Sequence, residues 1–328
     1  VRQNEKNKHS FIILFFRLEQ RNTFYATPAF FDAMTTTTGE MPRQRAFLTL
    51  GILSLIWGTS FILIKRGLEV FQPTQVACLR MSISALAFLP MWYLRRRYMD
   101  WSKLPWLLVV GLCSSAIPAF LFANAQMHIS SAMAGILNSL TPLFTFLLGI
   151  WLFNAHFGIQ RLTGVLFGLA GAVALILLGN RSGLEGGIGW GMLIVLASLL
   201  YATGTNVIGK YLRDLDSLLI SSASFGLVGI PLMLYLFGAT DFVQRMQEHP
   251  QAWEALGYVT ILAFVGTVAA SGVFFHLVQK TSPIFGSTVA YLMPIVSLLW
   301  GMLDGEAIGW MHLVGMAMIL SGVYLSRR

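Results

Sequence analysis

Long apolar stretches, each closed by a short polar or basic cluster, recur along the chain from residue 46 to residue 326. A helix needs roughly 20 apolar residues to cross a hydrocarbon core of about 30 Å. Ten stretches have about that length: 46–65, 72–94, 104–125, 132–153 and 159–179, then 189–210, 217–237, 254–278, 283–303 and 308–326. The pattern before residue 41 is different. Its one apolar run, Phe11 to Phe16, is closed by Arg17 and is too short to span or to form a signal-peptide core. Residues 1–40 are therefore read as a disordered or wrongly assigned extension, with Met34 and Met41 as alternative starts to Val1.

Composition agrees with that pattern. Of the 328 residues, 56% are hydrophobic and 11% charged, against about 25% charged in a soluble domain. A soluble chain of this length lacks the polar residues to cover itself, and a disordered one would be charge-rich and poor in aromatics. Cys78 and Cys113 are the only cysteines and both lie in apolar stretches, so no disulfide framework is expected. The chain reads as a multi-pass membrane protein.

The net charge of +8 is distributed by topology. Lys and Arg accumulate in short cytoplasmic loops. With an even number of spans both termini share one side. Of the 17 Lys and Arg from residue 41 onward, 12 fall in that side's loops, including Arg43, Arg95, Arg96, Arg97, Lys103 and Lys280. Four (Lys65, Arg66, Arg181 and Arg245) fall on the other, and Arg80 lies within a span. The bias predicts cytoplasmic N- and C-termini, and it accounts for the basic charge without any nucleic-acid partner.

The chain also repeats itself. TPLFTFLLGIWLF (141–153) returns as MPIVSLLWGMLDG (293–305), matching Pro142 to Pro294 and Gly149 to Gly301 at a spacing of 152 residues. Gly164 and Gly171 match Gly315 and Gly322 at 151, and ILIKRGL (62–68) echoes in VIGKYL (207–212), pairing Lys65 with Lys210 at 145. Two five-span halves, 46–179 and 189–326, follow. Because five is odd, the second half enters the membrane from the opposite side. The predicted fold is an all-α membrane protein of ten transmembrane helices in two inverted five-helix repeats, the plan of many secondary transporters, which bind substrate near the midplane between the repeats.

The segments SLIWGTSFILIKRGL (54–68), LRMSISAL (79–86), SLTPLFTFLLGIWLF (139–153) and Ala290 to Tyr324 resemble EamA-type carriers of the drug/metabolite transporter superfamily. The resemblance spans roughly 46–326 and recurs in both halves. It implies ten helices around a central cavity in a bacterial-type inner membrane, exporting small metabolites, with amino acids a frequent class. Such carriers commonly have Glu between the fourth and fifth helices of each half. Glu306 fits, but the matching first-half position is Ala155, beside Asn154, so a symmetric pair of acids is absent.

Within the apolar spans, polar residues are the candidates for a path. Arg80 sits eight residues into its span, about 12 Å deep at 1.5 Å per residue, where an Arg is costly and usually faces a cavity or a partner. Its forked donors suit a substrate carboxylate or phosphate; a structural Arg bonded to helix carbonyls is the alternative. Asn138 and Tyr291 lie in the fourth span of each half, Asn206 and Trp57 in the first. Each fits a substrate-binding position or ordinary packing. Pro142 and Pro294 are expected as paired hinges or helix breaks, on stripes of small residues that serve either close packing or a broken helix at a cavity. Gly164 and Gly168 form a GxxxG pair that suits an intramolecular contact or a homodimer.

No Asp or Glu lies mid-span, so facilitated diffusion or exchange is favoured, with His276 and Glu306 the candidates for ion coupling. Neither HExxH nor GxSxG is present. Ser271 and His276 stand five apart and do not face each other on a helix. An intramembrane enzyme is disfavoured, and no cofactor or metal site is indicated. A flippase for lipid head groups or lipid-linked metabolites is the nearest alternative carrier.

Overall fold

The computed structural model describes residues 41–129, 131–153, 158–179 and 188–303, with six isolated positions between 314 and 325. The extension 1–40, the tenth expected span, Asp304 and Glu306 lie largely or wholly outside the described residues. Among those described the chain is entirely helical. Six helices are long and apolar enough to cross a membrane: Arg43–Leu68, Pro73–Tyr98, Trp101–Ala125, Gly189–Tyr211, Ser217–Ala239 and Ala252–Lys280. The chain is a multi-pass membrane protein.

We number the α-helices in order. In the first half α1 is Arg43–Leu68, α2 Pro73–Arg95, α3 Leu104–Gly111, α4 Ile117–Ala125, α5 Ser131–Asn138, α6 Thr141–Trp151 and α7 Ile159–Gly179. In the second, α8 is Ile188–Tyr211, α9 Ser217–Ala239, α10 Phe242–Glu248, α11 Ala252–Ala263, α12 Ala270–Lys280, α13 Pro283–Ser287 and α14 Val289–Leu303. Between α3 and α4, and between α11 and α12, the backbone widens into π-helical turns at Leu112–Ala116 and Phe264–Ala269. Each is one span carrying an extra residue in its ladder, and the two turns begin 152 residues apart.

The stretch expected as one span at 132–153 is two helices, broken at 139–140. Pro142 explains it, since proline lacks the N–H that would bond the carbonyl four residues back and its ring crowds that carbonyl. The carbonyl of Asn138 instead accepts from the Thr141 hydroxyl at 2.7 Å. Pro294 frees the carbonyl of Ala290 in the same way, and the Ser139 hydroxyl donates to it at 3.1 Å. The second break falls earlier, at Thr288, so Pro294 lies inside α14.

Small residues set the closest helix contacts, as expected where lipid offers apolar side chains no incentive to associate. A Cβ on Gly229 of α9 would stand 2.5 Å from the Ala85 Cβ and 2.6 Å from the Met81 carbonyl of α2. A Cβ on Gly111 would meet the Ser224 carbonyl at 2.6 Å, and the Ser224 hydroxyl donates to Leu107 of α3 at 2.9 Å. The GxxxG pair is used within the chain: a Cβ on Gly322 would collide with the Gly168 backbone and approach the Gly164 carbonyl to 2.7 Å.

Charged groups gather at helix ends in two separate sets. Arg95 pairs with Asp216 at 2.8 Å, and Lys103 reaches the Tyr211 carbonyl at 2.9 Å and Asp214 at 3.5 Å. Beside them, the Ser102 hydroxyl and N–H bond Asp100 and hold its carboxyl below the usual carboxylate range. In the other set Arg245 pairs with Asp241 at 2.8 Å and bonds the Val70 carbonyl at 3.2 Å. Gln75, fully buried, bonds the same Asp241 at 2.7 Å.

Candidate functional site

A cavity of about 110 Å³ lies among α1, α2, both π turns, α8, α9 and the broken fourth helices. That far exceeds the roughly 15 Å³ a single water needs. Arg80, Trp57 and Asn138, three of the residues expected on a path, line it. Arg80 retains accessible surface in spite of its position deep in the bundle.

The second-half π turn organises one wall. Its Thr267 hydroxyl accepts from the Arg80 Nε at 2.8 Å and reaches back five residues to the Leu262 carbonyl at 3.3 Å. The Gly266 carbonyl accepts from the Trp57 indole N–H at 2.8 Å, as side chains do where a widened turn opens the backbone ladder. Trp57 stands edge-on to Phe274 with ring centroids 5.0 Å apart. The first-half π turn supplies Ser114 and Ser115 to the lining. Their hydroxyls, and that of Ser271, are buried and have no hydrogen-bond partner among the described residues. Gly204 of α8 gives Ser114 its room, because a Cβ there would run into the Ser114 Oγ.

Asn138 ends α5 with its amide engaged. It donates to the Met293 sulfur at 3.3 Å and accepts from the hydroxyls of Thr141 at 3.2 Å and Ser198 at 3.4 Å. Its place at the break puts it on the cavity wall.

Asn206 and Tyr291, expected on the path, lie off this cavity. Each has its polar end satisfied by a neighbouring backbone. Asn206 donates to the carbonyls of Thr145 and Ala202, both at 3.0 Å. Tyr291 is 0% exposed and donates to the Val165 carbonyl of α7 at 2.7 Å. His276 is buried on α12 at 5% exposure, with Nε2 lacking a partner among the described residues, and it does not line the cavity. No group of three or more potential metal ligands is found among the described residues.

The sequence reading missed the hydroxyl lining: Ser60, Ser114, Ser115, Thr205 and Thr267. A signal for them existed in the repeat spacing. Ser60 and Thr205 stand 145 residues apart, as do Arg80 and Phe225, and all four line the cavity. Ser114 and Gly266, Ser115 and Thr267, Phe122 and Phe274, Asn138 and Ala290, and Thr141 and Met293 stand 152 apart and line it too. These are the spacings that pair Lys65 with Lys210 and Pro142 with Pro294.

The sequence profile of the EamA-like transporter family matches residues 44–177 and again residues 188–328. The chain belongs to the EamA-like transporter family. It is 27% identical over 292 residues to the protein named uncharacterized inner membrane transporter YedA of Escherichia coli strain K12, covering 85% of this chain and 89% of that one. It is 25% identical over 298 residues to a probable amino-acid metabolite efflux pump of Salmonella typhimurium, covering 87% and 95%. A chain in a solved crystal structure shares the fold with a TM-score of 0.65 at 17% identity, over 87% of this chain and 97% of that one. As a member of this family, the protein is a membrane transporter.

Proposed function

We propose that the protein is a secondary transporter that exports a small metabolite, such as an amino acid, by alternating access through the central cavity. Ten membrane-spanning helices in two inverted five-helix repeats, 46–179 and 189–326, would form it, in a bacterial-type inner membrane with both termini cytoplasmic. One observation carries the reading: seven pairs of cavity-lining residues recur at the two repeat spacings. Two halves related by a pseudo-twofold axis bring equivalent residues together at that axis, which is where inverted-repeat carriers bind substrate. The double match to the family profile supports the same division. The separation of the two charged sets, each drawn from cations expected on one side, supports the division of the loops between two sides.

Arg80 would bind the anionic end of the substrate, Trp57 and Asn138 would line its path, and Pro142 and Pro294 would let the fourth helices flex. Asn206 and Tyr291 would hold neighbouring helices in register. Among the described residues no carboxylate lines the cavity, which favours facilitated diffusion or exchange; His276 and Glu306 are the residues to replace in testing for ion coupling.

Counterflow tests the proposal. Proteoliposomes holding unlabelled amino acids receive labelled ones outside, with no ion gradient imposed. Accumulation of a label is expected. Its absence for every amino acid, with folded protein verified, would remove amino acids as cargo of a gradient-independent carrier.

A further inference from the structure

The charge pattern of the cavity narrows its ligand, provided that the cavity is the transport site proposed above. Among the described residues Arg80 is the only charged side chain lining it. Its Nε is engaged by Thr267, while its two terminal nitrogens have no hydrogen-bond partner and no carboxylate within ion-pair distance among those residues. The unpartnered hydroxyls of Ser114, Ser115 and Ser271 belong to the same lining. Buried polar atoms are nearly always hydrogen-bonded, and each exception calls for an explanation. A charge set deep in the bundle with no counter-charge calls for a stronger one. A guanidinium stays ionised, so the empty site carries one unit of positive charge.

We propose that the cavity binds a small organic monoanion and prefers an α-keto or α-hydroxy acid to the amino acid of the same carbon skeleton. The carboxylate pairs with the terminal nitrogens of Arg80 as a fork on a fork. The apolar body lies against Trp57, Phe122 and Phe274, and the keto or hydroxyl oxygen accepts from a lining serine whose hydroxyl, shielded in the empty site, rotates toward it. One monoanion neutralises the site. A zwitterion leaves it with its positive charge and brings an ammonium to about 6 Å from the guanidinium, a repulsion that a partly dry site screens weakly. No described carboxylate is present to pair with that ammonium, and contact with aromatic faces offsets only part of its lost hydration. A dianion is disfavoured equally, because its second carboxylate finds no second cation.

The test uses the full chain in proteoliposomes, preloaded with the unlabelled compound under study. Counterflow is compared for phenylpyruvate and phenylalanine, for the α-keto acid of leucine and leucine, and in competition with the methyl ester of each keto acid. The keto acids are expected to half-saturate at concentrations at least about tenfold below those of the amino acids, and the esters are expected not to compete. Arg80→Gln should abolish the preference and Arg80→Lys should keep part of it. Should Arg80→Gln fail to fold, the comparison of acid with ester on the unaltered protein decides. Leucine or phenylalanine matching its keto acid, or an ester competing as well as the acid, would overturn the charge rule and leave the transport reading standing. Absence of counterflow for all of these compounds, with folded protein, would overturn the charge rule and remove these acids as cargo of a gradient-independent carrier.

Discussion

Removing the Tyr291 hydroxyl separates a residue that holds helices from one that touches cargo. In Tyr291→Phe the ring stays where it packs, with its Cε2 2.7 Å from where a Gly168 Cβ would be, and one oxygen is lost. That oxygen donates to the Val165 carbonyl at 2.7 Å from a fully buried position. Val165 lies within α7, so its carbonyl keeps the helical bond and loses only a second partner. The cost is that of one neutral buried hydrogen bond, about 0.5–1.5 kcal/mol. At about 2–4 °C per kcal/mol for chains of 150–250 residues, the unfolding midpoint should fall by roughly 1–6 °C. The assay is thermal unfolding in detergent by intrinsic fluorescence, paired with counterflow of the same preparation. Half-saturation should stay within about twofold, because Tyr291 does not line the cavity. A tenfold weaker half-saturation with an unmoved midpoint would refute this and return Tyr291 to the path.

Three further substitutions address the site. Thr267→Val keeps the shape but takes the acceptor from Arg80 Nε, at a cost of about 1.5–3 kcal/mol for a hydrogen bond to a charged group; Thr267→Ser should restore both midpoint and counterflow, and a Val variant equal to the parent would show that Thr267 does not hold Arg80. Gly204→Ala drives a methyl into the Ser114 Oγ and should cost about 1–3 kcal/mol as overpacking, while adding Ser114→Ala should recover most of the loss; simple additivity of the two would argue against the contact. Pro142→Ala or Pro294→Ala should slow counterflow several-fold with an unchanged or higher midpoint, since each restores a helix N–H; a lowered midpoint with normal turnover would make the prolines packing residues.

Much of the architecture is legible in the order of residues. Membrane crossing depends on summed apolar length, which composition reports directly, and the break before Pro142 follows from a missing N–H. The π turns are not legible there, because an extra residue in one turn alters the ladder without altering composition. Ser114 and Ser115 escape notice for a related reason: a serine in an apolar helix most often bonds its own backbone, as Ser82 and Ser84 do here to Cys78 and Arg80 at 2.7 and 2.8 Å.

Sequence alone determined that the chain is a multi-pass helical membrane protein, that it repeats itself at spacings of 145 and 152 residues, and that Arg80 lies deep within a span. Tertiary structure decided which polar side chains meet space and which meet a carbonyl. Asn138 and Asn206 look alike in sequence, each a lone amide in an apolar helix. Helix packing sets the first at a break on the cavity and the second against the Thr145 carbonyl. The physical reason is that burial is a property of a stretch, read by adding up residues, whereas a hydrogen-bond partner depends on which helix face meets which neighbour.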